Sequence, residues 1–372
     1  MDSAPKKLVI NSKTVFTPKT SNISSKKALL FVPDLSLNGA QTVLLSLARI
    51  LIDISYSVTL ISSEDGEYRE QYLSIGVTIA IRPYISCSED FKAFLRNEYD
   101  LVLLNSSSCL PYIYYFINTN TRVIWWLHET KEQLENTSSY IPAPQLLSPN
   151  ITIAAAHNSV QQGLNSIFNF KVPILPIPVW DEFVNGYSQS AENRSAVFFI
   201  PAAYSYIKGQ DILLKAISLL PKDYLSASKF VFCGYSLPGQ AEYFNKITSM
   251  ANTLPNVSLL NSLPKSKVYE YYRTCDCVIA PSRIDSGPAS IAEAMMFNRL
   301  TLVSSNAGIS NCITDCVNGF VFKNEDELFQ RLLLIIKDKT NLGSIAANGR
   351  ITYEINFSPE TVKKALFLIL SQ

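Results

Sequence analysis

The feature that most constrains this chain is a pattern that runs twice. Short apolar segments alternate with stretches whose apolar residues recur at helical spacing. In the first pass residues 28–32 read as a strand and Asn38-Gly39 as a turn. Residues 40–51 then carry Val43, Leu44, Leu47, Ala48 and Leu51 on one helical face. Residues 58–62, 76–81, 101–105, 123–127 and 151–155 read as further strands and 91–97 as a short helix. Asn158-Ser159 reads as the cap of a helix running through Leu164 and Ile167. A proline-rich stretch (171–179) and a polar segment (187–195) follow, and the pattern restarts. Strands are expected at 196–200, 229–233, 257–260, 277–281 and 300–304. Helices are expected at 209–220, 241–253, 266–273, 288–297, 326–337 and 359–370. Such alternation predicts parallel sheets covered on both faces. The expected fold class is therefore α/β, with two Rossmann-like doubly wound domains facing a central cleft. The proline-rich and polar segments mark the boundary, because proline disfavours helix and the polar run has little to bury. The expected division is a basic N-terminal extension (1–27), domains at 28–180 and 190–350, and a C-terminal helical segment (351–372).

Composition narrows the class. The 372 residues are 47% apolar and 17% charged, with net charge +1. That is a globular chain without a basic field to draw nucleic acid. No apolar run reaches the roughly 18–20 residues that span a bilayer. Residues 1–27 lack the apolar core and cleavage site of a signal peptide, so a cytoplasmic location is expected. Six lysines there face one acid, Asp2. They fit either attraction to anionic headgroups on the inner face of the plasma membrane, or a solvated tail or loosely docked strand at 8–10. The cysteines number seven, an odd count that reads as reduced thiols. Cys275/Cys277 and Cys312/Cys316 lack zinc-knuckle spacing, and His128 and His157 are remote in sequence, so no metal site is expected.

The segment from Pro281 to Met295 carries the strongest chemical signal. A buried strand ends at Pro281, a polar loop follows, and a helix starts near Pro288. Asp285 stands in the loop, and Glu293 stands inside the helix, on a surface near its start. The N–H groups of Gly287, Ala289 and Ser290 at a helix N-terminus suit phosphate oxygens. Carboxylates suit the paired donors of a ribose or sugar diol. The bland alternative is Asp285 or Ser286 as an N-cap with a surface glutamate. A second signal is Lys208-Gly209, which delivers a compact cation to the start of the next helix, where a diphosphate could leave. A third is the strand–turn–helix at 37–42, where Gly39 permits close backbone approach.

Taken together, residues 28–322 resemble the GT-B glycosyltransferases of family 4, with the C-terminal half the more specific. Asp285 and Glu293 resemble that family's Glu-x7-Glu pair, residues 37–42 its Gly-Gly-Ala-Glu segment, and Lys208-Gly209 its Lys-Gly. Residues 231–234 resemble its nucleotide-side strand, and Asn306-Ala-Gly308 and Asn318-Gly319 its late glycine turns. The resemblance implies that Glu293 holds the ribose, Asp285 the donor sugar and Lys208 the diphosphate, with His128 near the donor sugar. Gly39, Ala40, Ala203, Gly234, Arg283, Ser286, Gly287, Pro288, Ala289 and Ser290 would line the donor. It further implies that the last helix packs back on the first domain. Two departures stand out. The family's arginine five residues before the lysine is Ala203 here, with Arg283 a candidate replacement cation. The first glutamate of the pair is Asp285, one methylene shorter. No Asp-x-Asp follows a strand, so a metal-independent enzyme with no cofactor is expected.

The function implied is a retaining transferase. It would move a sugar from a nucleotide-diphosphate donor, UDP or GDP, to a saccharide or lipid-linked acceptor in bacterial polysaccharide or lipopolysaccharide biosynthesis. The alternatives are a catalytically degenerate GT-B partner subunit, motivated by Ala203 and Asp285, and a nucleotide-sugar epimerase, for which two histidines are a thin supply of acid–base groups.

Overall fold

The structure, a computed structural model, describes residues 7–10, 13–18, 25–36, 39–81, 95, 99–137, 147–183, 194–237 and 239–371. It divides into two compact units, Met1–Pro178 with Pro359–Gln372, and Val179–Ser358.

The first unit contains β1 (Lys7–Ile10), β2 (Lys13–Phe16), β3 (Lys26–Val32), α1 (Gly39–Asp53), β4 (Tyr56–Ser62), α2 (Arg69–Ser74) and β5 (Thr78–Ile81). It continues with β6 (Leu101–Asn105), α3 (Leu110–Ile113), β7 (Arg122–Leu127), α4 (Lys131–Thr137), β8 (Ile151–Ala155) and α5 (Asn158–Phe168). The sheet order is β1-β2-β5-β4-β3-β6-β7-β8. Strands β3 to β8 are parallel, and β1–β2 is an antiparallel pair added at the β5 edge. A strand does form in the basic N-terminal segment, at Lys7–Ile10, paired with Lys13–Phe16. Strand β6 is buried along its whole length, as a parallel strand with helices on both faces must be. Trp125 and Trp126 are fully buried, and their indole N–H groups donate to the carbonyls of Ser106 (2.9 Å) and Leu175 (2.8 Å). Large rings are thereby buried without an orphaned donor.

The second unit contains β9 (Ala196–Pro201), α6 (Gln210–Ser218), α7 (Lys222–Ser226), β10 (Ser228–Cys233), α8 (Ala241–Ala251), β11 (Val257–Leu260), α9 (Lys265–Thr274) and β12 (Cys277–Ala280). It ends with α10 (Ala289–Met296), β13 (Leu300–Ser304), β14 (Phe320–Phe322), α11 (Glu325–Asp338) and α12 (Gly343–Asn356). All its strands are parallel, in the order β11-β10-β9-β12-β13-β14. Its core includes Phe198 and Phe230, whose rings stack with centroids 4.6 Å apart.

The final helix, α13 (Pro359–Leu370), clusters with the first unit. It buries Val362, Leu366 and Ile369, and its Lys363 reaches Asp53 at the end of α1 (3.6 Å). Among the described residues no helix is long and apolar enough to cross a membrane.

Several details differ from the sequence reading. Helix α5 has His157, not Asn158, in the extended position that precedes it, and no side chain caps it. Helix α12 was not expected, because its buried face is Ala346, Gly349, Thr352 and Tyr353, too small and polar to print an apolar period. Strand β14 has only three residues, below the length at which alternation can be read. The helix expected at 91–97 lies outside the described residues apart from Leu95.

Each sheet reverses its winding once. In the second unit β9 is flanked by β10 and β12, and in the first β3 is flanked by β4 and β6. Ligands of doubly wound sheets bind past the carboxyl ends of the strands at such switch points. The loops after β9 and β12 carry Lys208 and Asp285; the loops after β3 and β7 lead to Gly39 and His128.

Candidate active site

The β9 loop runs through Ala203 into a single 3₁₀ turn, Tyr206–Lys208, and reaches α6 through Gly209. Gly209 has φ +68°, and a Cβ built on it would lie 2.1 Å from the Pro281 carbonyl oxygen. Only glycine permits both the left-handed conformation and that approach. The lysine and carboxylate loops are therefore pressed together, backbone to backbone. The Arg283 N–H donates to the Ile207 carbonyl across the same seam (2.8 Å).

Lys208 Nζ meets Asp285 Oδ2 at 2.5 Å, with the lysine side chain 25% and the aspartate 7% exposed. The other aspartate oxygen accepts the Gly287 N–H (3.1 Å), and Ser282 Oγ donates to Oδ2 (3.4 Å). The Asp285 carbonyl accepts the Gly308 N–H (2.8 Å), which ties the late glycine turn to this loop. Asp285 is thus not the cap of α10. Pro288 occupies that position and has no side-chain cap bond. Nor is the Gly287 amide an open phosphate donor, since Asp285 takes it. The amides of Ala289 and Ser290, first in α10, lack intrahelical partners by position. Ser286, Gly287, Pro288, Ala289 and Ser290 are all half-buried.

Glu293 is buried, at 4% exposure, and not on the surface as its sequence position suggested. It forms an ion pair with Lys265, the first residue of α9. Tyr272 lies beside Glu293 and donates to the Ser290 carbonyl (3.1 Å). Burial first, and then the nearby charge of Glu293, push the Tyr272 phenol well up. Lys265 was missed in the sequence because 28 residues separate it from its partner, and no local spacing links them.

The other residues of the second unit expected to line a donor have simpler surroundings. Ala203 presents its carbonyl to Gln210 Nε2 (2.8 Å). Gly234 ends β10 so close to β9 that a Cβ would meet the Ala202 oxygen at 2.1 Å; packing requires the glycine. Arg283, the candidate replacement cation, is committed elsewhere: its guanidinium forks onto Asp211 at 2.8 and 3.0 Å. It does not stand in for the missing arginine. Cys275 and Cys277 are buried, and burial pushes the Cys275 thiol up to about 12. Among the described residues no three potential ligands cluster around a metal position.

In the first unit Gly39 opens α1, and a Cβ there would meet nothing within 4 Å. Ala40 beside it is exposed. Gln41 is buried, donates to the Asp34 carbonyl through an unusually short bond, and accepts from Tyr72 Oη (3.1 Å). His128 follows β7, edge-on to Trp126 with centroids 4.2 Å apart, and its Nε2 is buried without a hydrogen-bond partner. Burial pushes its imidazole down to about 3. It is therefore neutral near pH 7, able to hydrogen-bond a hydroxyl but not to act as a cation. A depressed histidine contributes stability that is full above its unfolded value, about 6.5, and is lost as pH falls toward 3. His128→Gln is expected to flatten the fall of melting temperature between pH 6.5 and 4. An unchanged slope would show that His128 is solvated.

Comparison with known proteins places both halves. Residues 187–352 match the family described as glycosyl transferases group 1, and residues 24–144 match glycosyl-transferase family 4. The chain belongs to the GT-B glycosyltransferases. The fold of this glycosyltransferase is similar to that of Anabaena HepE, solved with UDP and glucose. The TM-score is 0.78 at 17% identity, covering 93% of this chain and 100% of that one. It is also similar to a glycosyltransferase of Rickettsia africae (TM-score 0.76, 15% identity, 93% and 98% covered). A third is WaaG, a glycosyltransferase involved in lipopolysaccharide biosynthesis (0.69, 13%, 93% and 100%). Among curated proteins, the glycogen synthase of Thermodesulfovibrio yellowstonii is 29% identical over 118 residues, 32% of this chain. That match spans 22% of the relative's length.

Proposed function

We propose that this glycosyltransferase transfers a sugar, with retention and without a metal ion, from a nucleoside-diphosphate sugar to a saccharide or lipid-linked acceptor. UDP or GDP is the donor nucleotide, and bacterial polysaccharide or lipopolysaccharide assembly is the setting. One observation carries the reading. Lys208 pairs with Asp285 in the loop that leads into α10, and Glu293 is buried within α10 itself, on the loops and helix that follow the switch-point strands of the second sheet. That HepE was crystallised with UDP-glucose, and that WaaG works in lipopolysaccharide biosynthesis, support the choice of donor and setting.

In this reading Glu293 accepts both ribose hydroxyls, with Lys265 keeping the buried carboxylate compensated. The α10 amides and Lys208 hold the diphosphate. Lys208 is neutralised by Asp285 when the pocket is empty. A diphosphate carries more charge than one carboxylate and so draws the ammonium toward itself. That frees Asp285 to accept a sugar hydroxyl, for which its shorter arm requires a sugar seated close to the loop. As the glycosidic bond breaks, charge accumulates on the diphosphate, and Lys208 with the helix dipole stabilises it. No carboxylate is assigned as a nucleophile. Retention follows from delivery of the acceptor on the face the diphosphate leaves.

Titration calorimetry with UDP and GDP tests the reading. Glu293→Ala is expected to weaken nucleotide binding about 10- to 100-fold, a loss of ~1.4–2.7 kcal/mol, and to leave inorganic diphosphate binding unchanged. If neither nucleotide binds the wild type, or the variant binds as well as the wild type, the proposal fails. Tight nucleotide binding with no transfer from any donor would instead fit the non-catalytic partner role that Ala203 raises.

A further inference from the structure

We propose that Arg283 and Asp211 are positioning residues, a part-buried ion pair that holds the Lys208 and Asp285 loops in register. This rests on the reading of Lys208 as the diphosphate contact. Arg283 stands two residues before Asp285, where a guanidinium could turn outward to meet phosphate. Instead its Nη1 and Nη2 fork onto Oδ1 and Oδ2 of Asp211 at 2.8 and 3.0 Å. Nη1 also donates to the Tyr206 carbonyl (2.8 Å), and the guanidinium lies 4.0 Å from the centre of the Tyr206 ring. The Arg283 backbone N–H takes the next carbonyl, that of Ile207 (2.8 Å). One residue thus grips the two positions immediately before Lys208.

Asp211 anchors this grip from the first turn of α6, at 2% exposure. It accepts from Lys246 Nζ (2.9 Å) and Tyr243 Oη (3.0 Å) as well as from Arg283. Burial alone would push its carboxyl up. The bonds from Arg283, Lys246 and Tyr243 outweigh that and hold it well below the usual carboxylate range. A forked guanidinium–carboxylate pair is a rigid planar unit, unlike a point-charge lysine. With both Nη atoms engaged by Asp211 and the Tyr206 carbonyl, Arg283 is assigned no phosphate contact here. Its effect on the donor passes through where it puts Lys208, and a displacement of ~1 Å at a reacting group can cost ~100-fold in rate.

The test uses the full chain with Arg283→Lys, Lys208→Met and the double variant. Arg283→Lys keeps the charge but cannot fork. It is expected to melt within about 4 °C of the wild type, yet to bind UDP about tenfold more weakly and turn over about tenfold more slowly. The double variant is expected to bind UDP no worse than Lys208→Met alone, because both changes act through one ammonium. A readout without nucleotide accompanies these: reductive methylation of Lys208, followed by mass spectrometry, is expected to quicken several-fold in Arg283→Lys. Unchanged UDP affinity, turnover and methylation would overturn the proposal, as would a double variant whose loss is the product of the single losses. If the wild type bound no UDP but Arg283→Lys still quickened methylation, the nucleotide reading would fall and the positioning role would stand. Should Arg283→Lys not fold, Asp211→Asn, which keeps the shape and removes the charge, goes through the same measurements.

Discussion

Lys208→Met is expected to lower kcat about 10²–10³-fold, the loss seen when one preorganised donor to a developing charge is removed. The physical case rests on scarcity. The family's arginine position is Ala203, and Arg283 is spent on Asp211. Under the proposed function Lys208 is then the side-chain cation assigned to the diphosphate, and among the described residues no second one is assigned to share its charge. The change also leaves Asp285, at 7% side-chain exposure, without its ion partner. Because the lysine is partly solvated, water can replace it, and the stability loss should stay within about 1–2 kcal/mol. A steep loss of rate with a modest loss of stability is therefore the signature. It is read from steady-state kinetics with the best donor beside a urea melt, and Lys208→Arg should recover part of the rate. A kcat within threefold of the wild type would remove Lys208 from the mechanism.

Gly209→Ala is expected to destabilise the protein by at least about 2–4 kcal/mol, from left-handed strain of ~1–2 kcal/mol plus a backbone clash. The new methyl carbon would begin 2.1 Å from the Pro281 oxygen, and neither partner is a flexible side-chain end that can swing away. Relief requires parting the two loops, which also parts Lys208 from Asp285. The midpoint of urea unfolding and kcat should therefore fall together. Gly39→Ala is the control: its Cβ would enter open space, so the midpoint should move by no more than about 0.5 kcal/mol. Equal midpoints for the wild type and Gly209→Ala would contradict the loop geometry.

Much of this molecule was legible in its residue order, for a definite reason. Strands such as Leu101–Asn105, Ile151–Ala155 and Leu300–Ser304 stand where the apolar runs placed them, because a parallel strand covered on both faces has to be largely apolar. Lys208-Gly209 and the Asp285–Glu293 segment were visible because turn glycines and helix starts are local chemistry. Helix α12 escaped because it packs through Gly349 and Thr352, and β14 because three residues carry no period.

Partnership is what residue order could not express. That Glu293 is buried against Lys265, that Asp285 spends one oxygen on Gly287 and the other on Lys208, and that Arg283 serves Asp211 all depend on loops far apart in sequence meeting at a switch point. Local periodicity sets which face a residue turns to the core, so the sequence by itself determined the α/β class and the strand-to-helix loops that carry Lys208 and Asp285. Charge pairing is set by separations of a few ångströms between distant segments. Only the tertiary structure could decide which cation each carboxylate holds.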